Sequence, residues 1–108
     1  MLKVLKFGGT SMADAKQFAK VKAIVDSDPS RRVVVVSAAG KRFSEDHKIT
    51  DLLLLCHAHI KYGVSSDSVF DMIAKRYIEI RDDLGLKIDI ESELNKIADK
   101  LSNFITKD

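Results

Sequence analysis

Apolar and polar positions along the chain change their spacing several times, and each change marks an element. Leu2 to Lys6 and Arg32 to Ser37 are rich in β-branched and aliphatic residues, and the second holds the unbroken run Val33-Val34-Val35-Val36. A continuous apolar run, without the alternation of a half-exposed strand, predicts a strand covered on both faces, as in the parallel sheet of an α/β protein. Between the two segments, Ala15, Phe18, Val21 and Val25, with Ile24 beside them, recur at helical spacing and predict a helix over Ser11 to Asp26. Ser11 with Asp14 makes a weak capping pair at its start, and Ser27-Asp28-Pro29-Ser30 closes it. Residues 1–37 thus read as a βαβ unit, whose crossover should be right-handed.

Past Ser37 the pattern turns polar, through a loop over residues 38–49 that leaves the carboxyl end of the second strand. Ligands of open α/β sheets collect at that edge. Thr50-Asp51 reads as the cap of a largely apolar helix from Leu52 to Tyr62, stopped by Gly63. A second helix, Ser66 to Leu84, carries Val69, Ile73, Tyr77, Ile80 and Leu84 on one face and ends at Gly85. Ile90, Leu94, Ile97, Leu101 and Phe104 alternate four and three apart on a third, whose stripe reads as a core face. Two strands and one crossover helix cannot cover both faces of Val33 to Val36. Further strands are therefore expected, from another chain or, the favoured reading, from a longer protein of which these residues are the front.

Chemistry concentrates in Lys6-Phe7-Gly8-Gly9-Thr10-Ser11, set directly after the first strand. A lysine at the strand end, a glycine pair free to adopt positive φ, and two hydroxyl residues leading into a helix form a phosphate cradle. A mobile ammonium suits the charge that migrates during phosphoryl transfer. Because the lysine precedes the glycines, the order is neither that of the P-loop nor that of the dinucleotide fingerprint. Thr10 and Ser11 are also ordinary helix-capping residues, and the two roles are compatible.

Composition removes several other classes. With 18 Lys and Arg against 16 Asp and Glu, net charge +2, the bases are interleaved with acids, which argues against a nucleic-acid binder. The pairs Arg31-Arg32 and Lys41-Arg42 read as solvated loop charges, as do Glu45, Asp46, Lys48 and Asp51, although a mobile loop there could act as a lid. The single cysteine, Cys56, excludes an intramolecular disulfide and reads as a buried small hydrophobe in a reducing compartment. No secretory leader and no apolar stretch long enough to span a bilayer is legible, so a soluble cytoplasmic protein is expected. His57 and His59 are two apart, which points them to different faces of a helix, and with His47 they form no metal motif.

Three separated elements together carry a family resemblance: Lys6-Phe7-Gly8-Gly9-Thr10-Ser11, the strand end Val35-Val36-Ser37-Ala38, and Thr50-Asp51-Leu52-Leu53. In order and spacing the chain resembles the start of the catalytic domain in the amino acid kinase family, and within it the aspartokinase branch. The resemblance is strong over about the first 60 residues. It implies an α/β fold of the three-layer αβα sandwich type, of which only the N-terminal βαβ unit and the following helices are present: residues 1–37 with the phosphate loop, 38–49 as a substrate loop and 50–108 as a helical segment. It also implies transfer of the ATP γ-phosphate to the β-carboxylate of L-aspartate, with Mg²⁺ neutralising the phosphates, as the first step towards lysine, threonine and methionine. On that basis Lys6 would stabilise the transferring phosphoryl group, residues Phe7, Gly8, Gly9, Thr10 and Ser11 would line the nucleotide phosphates, and Ser37 and Thr50 would bind the amino acid. The family's substrate-binding glutamate and arginine, an aspartate near the phosphates and the base pocket fall later in such chains. A stretch of 108 residues lacking them is expected to be inactive by itself.

Other readings remain open beside this one. The chain could be a non-catalytic interaction module that keeps the phosphate loop for structure, or a related amino acid kinase with another carboxylate substrate. The apolar surface expected around the second strand makes self-association, and hence a homo-oligomer, an expectation.

Overall fold

A computed structural model describes residues 1–103; Phe104, which closes the expected stripe on the last helix, lies outside the described residues. The chain divides into two compact units, Met1–Ile49 and Thr50–Asp108.

The first unit holds β1 (Lys3–Phe7), a 3₁₀ turn (Gly9–Met12), α1 (Ala15–Asp26) and β2 (Arg31–Val36). The strands pair in parallel, Val4 with Val33 through Phe7 with Val36, with an irregularity between Lys3 and Val4. This is the expected βαβ unit. The end of the unit opposite the glycines is fastened by polar contacts: Lys3 Nζ reaches Asp28 Oδ2 at 2.6 Å, and the other Asp28 oxygen accepts from the Ser30 amide and hydroxyl. Arg31 donates to the Ile24 carbonyl and to Ser27 Oγ, closing the carboxyl end of α1.

The expected helix from Ser11 starts late. Asp14 is the N-cap, with its carboxylate accepting from the Gln17 amide at 3.0 Å, while Ser11 belongs to the preceding 3₁₀ turn through its amide bond to the Gly8 carbonyl. A carboxylate placed three residues before a free amide satisfies one of the orphan donors of a helix start, and that fixes the boundary. Ala15, Phe18, Val21 and Val25 are half-buried, whereas Val33, Val34, Val35 and Val36 remain 38–54% exposed. Neither face of β2 is covered as its sequence predicts, since β1 pairs with one edge of the strand and α1 shields only part of the sheet.

The second unit is helical. The helix α2 (Ile49–Lys61) opens at the last residue of the first unit, followed by α3 (Asp67–Asp83) and α4 (Ile90–Asn103). Thr50 is not the cap of α2 but lies inside its first turn. The Ile49 amide donates to the Ala39 carbonyl at 3.0 Å, so the first helical amide is satisfied before Thr50 is reached. Gly63 and Gly85, with φ of 72° and 68°, end α2 and α3 in one motif: Val64 N–H donates to His59 C=O and Leu86 N–H to Arg81 C=O. These are the left-handed positions at which a β-carbon is penalised. On α3, Val69, Ile73 and Ile80 are buried as expected, joined by Phe70 and by Arg76, a charged residue the apolar pattern did not single out. On α4 only Leu94 is fully buried and Ile97 is exposed, so the inward face runs through Ile90, Leu94, Ala98 and Leu101. Arg81 joins α3 to α4 by a two-pronged pair with Glu91 and a bond to the Ile88 carbonyl, and Asp89 accepts from the Ser92 amide at the start of α4.

Candidate functional site at the carboxyl edge of the sheet

Parallel pairing makes both strands of the first unit leave the sheet on the same side. Phe7 is paired with Val36, and the Ser37 amide donates to the Phe7 carbonyl at 3.1 Å, carrying the ladder one residue past β2. The Lys6–Ser11 segment and the Ser37–Gly40 segment therefore emerge side by side. Lys6 is exposed, on the opposite pleat from the half-buried Leu5 and Phe7.

The two segments then meet backbone to backbone. Gly40 N–H donates to the Gly9 carbonyl at 2.7 Å. A β-carbon on Gly40 would stand 2.5 Å from the Gly9 carbonyl carbon and 2.8 Å from the Thr10 nitrogen, and one on Gly9 would stand 3.2 Å from Gly40 Cα. Both positions need glycine for this close approach, and Gly9, like Gly8, lacks the positive φ expected from the sequence. Gly8 is different: it is extended, at φ −77° and ψ 178°, and the place where a β-carbon would stand is open space. The Gly8 backbone is therefore open on that side. The first amides of the 3₁₀ turn beside it lack partners within the turn itself.

A cleft of about 290 Å³ lies next to the turn, lined by Thr10, Ser11, Asp14, Gln17, Lys41 and Arg42. The loop charges are thus not uniformly solvated. Asp46 is buried, and its carboxylate accepts from the Arg42 amide at 2.9 Å, from Nε at 2.7 Å and from a terminal guanidinium nitrogen at 3.0 Å. Sequence reasoning missed both this pair and the role of Gly40. The four-residue spacing of Arg42 and Asp46 outside any helical pattern was the available signal.

Of the residues expected at a site, Lys6, Phe7, Gly8, Gly9, Thr10, Ser11 and Ser37 lie on this one edge; Thr50 belongs to α2 and the second unit. A larger groove of about 360 Å³ in that unit, between α3 and α4, is lined by Phe70, Ala74, Leu94 and Ala98 among others and contains none of the expected site residues. Cys56 is completely buried, and burial pushes its thiol above the ordinary value, as suits a structural residue rather than a nucleophile. Among the described residues there is no group of three or more His, Cys, Asp or Glu side chains placed to hold a metal, and no helix long and apolar enough to cross a membrane.

Residues 1–104 match the amino acid kinase family. The chain is 41% identical over 107 residues to "Aspartokinase 3" of Bacillus subtilis (strain 168), covering 99% of this chain and 23% of that protein. Against the bifunctional aspartokinase/homoserine dehydrogenase of Buchnera aphidicola (subsp. Acyrthosiphon pisum, strain APS) it is 27% identical over 106 residues, 96% of this chain and 13% of the relative. The crystal structure of Clostridium acetobutylicum aspartate kinase superposes with a TM-score of 0.90 at 50% identity, over 93% of this chain and 23% of that one. The α/β arrangement of the chain thus matches a portion of the aspartate kinase fold, and the chain spans less than a quarter of the length of each relative.

Proposed function

The chain belongs to the amino acid kinase family, and from that footing we propose that it forms the phosphate-binding part of an aspartate kinase, which transfers the ATP γ-phosphoryl group to the β-carboxylate of L-aspartate. A carboxylate oxygen attacks the γ-phosphorus, the bond to the β,γ-bridging oxygen breaks, and ADP and β-aspartyl phosphate form. Two anionic reactants must be held in line, so catalysis is positioning and charge stabilisation, and no covalent residue is required. Lys6 neutralises charge on the phosphoryl group in flight. The backbone from Phe7 to Gly9, open at Gly8, and the hydroxyls of Thr10 and Ser11 hold phosphate oxygens, while Ser37 and Thr50 hydrogen-bond the amino acid. Mg²⁺ lowers the repulsion between the phosphates when bound. On this reading the phosphates and residues outside this chain would hold it.

The observation that carries this reading is the convergence of Lys6 to Gly9 with Ser37 to Gly40 at one sheet edge, fastened by the Gly40-to-Gly9 bond. In the natural polypeptide carrying these residues, ADP release should depend on L-aspartate, and hydroxylamine should trap the acyl phosphate as a hydroxamate. Turnover equal with and without aspartate would sink the assignment. Localisation in the cytoplasm and assembly into a homo-oligomer belong to the same proposal. Exposed apolar residues such as Leu54 and Tyr62 support association, and sedimentation of the natural polypeptide tests it.

A further inference from the structure

The loop from Ala38 to Lys48 has no regular secondary structure, and a loop of that length at a sheet edge is ordinarily mobile. Here it is drawn in at three points. Its first part is bonded to the phosphate turn by Gly40 N–H to Gly9 C=O at 2.7 Å, its far end by Ile49 N–H to Ala39 C=O at 3.0 Å, and its middle folds on itself through Asp46 N–H to Phe43 C=O at 3.1 Å. The one charged side chain buried within it is Asp46, 6% exposed, and both of its oxygens take bonds from Arg42. The Arg42 guanidinium also lies 5.6 Å from the centroid of the Phe43 ring.

We propose that Asp46 is a positioning residue that, through Arg42, holds the Ala38–Lys48 loop closed and so keeps Gly40 seated on the Gly9 carbonyl of the phosphate turn. The inference rests on the kinase reading for its effect on turnover, but the closure stands on this unit's geometry alone. Burying a carboxylate is unfavourable unless its oxygens are fully bonded. A planar guanidinium, which can give two parallel bonds, meets that need where a lysine could not. Neither side chain is assigned a contact with the reacting atoms. They fix the path of the backbone between Ser37 and Ile49, and a displacement of about 1 Å at a positioning element can cost roughly a hundredfold in rate.

Two readouts on the natural polypeptide separate closure from chemistry. Limited trypsinolysis reports the loop directly at the Lys48–Ile49 bond, which neither variant alters; Arg42 is itself a trypsin site, so cuts after Lys41 and Arg42 are left out of the comparison. Asp46→Asn and Arg42→Ala should each speed cleavage after Lys48 by about tenfold or more, the population change expected for losing charged hydrogen bonds that hold a local closure. Cleavage outside residues 38–49 should stay at the parent rate. The double variant should be cleaved no faster than the faster single, since the two side chains act as one unit. In the aspartate-dependent assay, both singles should lower kcat/KM for the amino acid, while Arg42→Lys should recover part of kcat/KM and leave Lys48 cleavage intermediate. Parent-like cleavage in both single variants overturns the closure. Faster cleavage with unchanged kcat/KM overturns the positioning role. Should the parent show no aspartate-dependent turnover, the kinase reading fails and the proteolysis still decides whether the clasp closes the loop. Should Asp46→Asn not fold, cleavage of Arg42→Ala decides the closure by itself, faster supporting it and parent-like overturning it.

Discussion

The two units meet the same requirement, an apolar stripe that must be kept from water, with different completeness. In the helical unit α3 buries Val69, Phe70, Ile73 and Ile80, α4 adds Leu94, and Arg81 with Glu91 ties the two helices together. In the sheet unit the four valines of β2 stay partly exposed, and its ordered contacts gather at the strand ends, where Lys3, Asp28 and Arg31 hold one end and Gly9 with Gly40 the other. The helical unit buries its stripe within this chain, whereas the sheet unit presents a run that the rest of a longer sheet would cover. On the proposed reading, substitutions at the sheet edge, at Lys6, Gly9 and Gly40, should act on chemistry, and those in the buried stripe of the helical unit on stability.

The largest break in that contrast should come at Gly40. An added methyl would meet backbone atoms of Gly9 and Thr10 at 2.5–2.8 Å, which cannot give way without moving the turn. Gly40→Ala should lower turnover about a hundredfold while the helical circular dichroism persists; turnover at the parent level would place the close approach outside the mechanism. Next in size, Ile73→Ala should destabilise the fold by about 2–5 kcal/mol in denaturant melts, with KM for aspartate unchanged in the folded fraction. A changed KM with little loss of stability would blur the division. Smaller still, Gly63→Ala and Gly85→Ala should each cost about 1 kcal/mol, because their positive φ disfavours a β-carbon although open space surrounds it. A stabilising effect would mean that these turns relax.

The smallest effect is electrostatic. The bond from Lys3, followed by those from Ser30, holds the Asp28 carboxyl well below the usual carboxylate range, and Arg81 lowers Glu91 in the other unit. A carboxyl depressed by folding adds stability above its unfolded value of about 4, and the contribution is lost as pH falls towards the folded value. The melting difference between the parent and Lys3→Ala should therefore shrink as pH drops below about 4. Being solvent-exposed, the pair should give a small difference at any pH, and one that grows on acidification would contradict the assignment.

Both strands, α1 and the three later helices were legible because each rests on a local period, and Gly63 and Gly85 were legible as stops because a helix end needs a left-handed residue. Lys6 to Ser11 was legible by its composition as a strand end followed by a turn, which the structure places at Phe7 to Met12. What escaped the sequence was non-local or competitive. Gly40 looked like one more loop glycine, because its reason lies some thirty residues away at Gly9. Asp46 looked solvated, because nothing in a linear pattern shows that Arg42 folds back to it. The start of α1 and the first turn of α2 were misplaced where two amide acceptors compete: Asp14 displaces Ser11 as the cap, and the Ala39 carbonyl meets the first amide of α2 ahead of Thr50. Coverage of the valines on both faces was a property of the complete sheet that their run implies, and among the described residues only one edge of β2 is paired.

The central claim is that the chemistry resides in the sheet unit at Lys6. Its most direct test is a side-by-side measurement of aspartate-dependent ADP release by the natural polypeptide carrying Lys6→Ala or, as the helical control, Ile97→Ala, which removes an exposed side chain from α4. The account predicts that kcat falls about a hundredfold or more for Lys6→Ala, with an unchanged melting transition, and stays at the parent level for Ile97→Ala. A Lys6→Ala enzyme that turns over at the parent rate would contradict it.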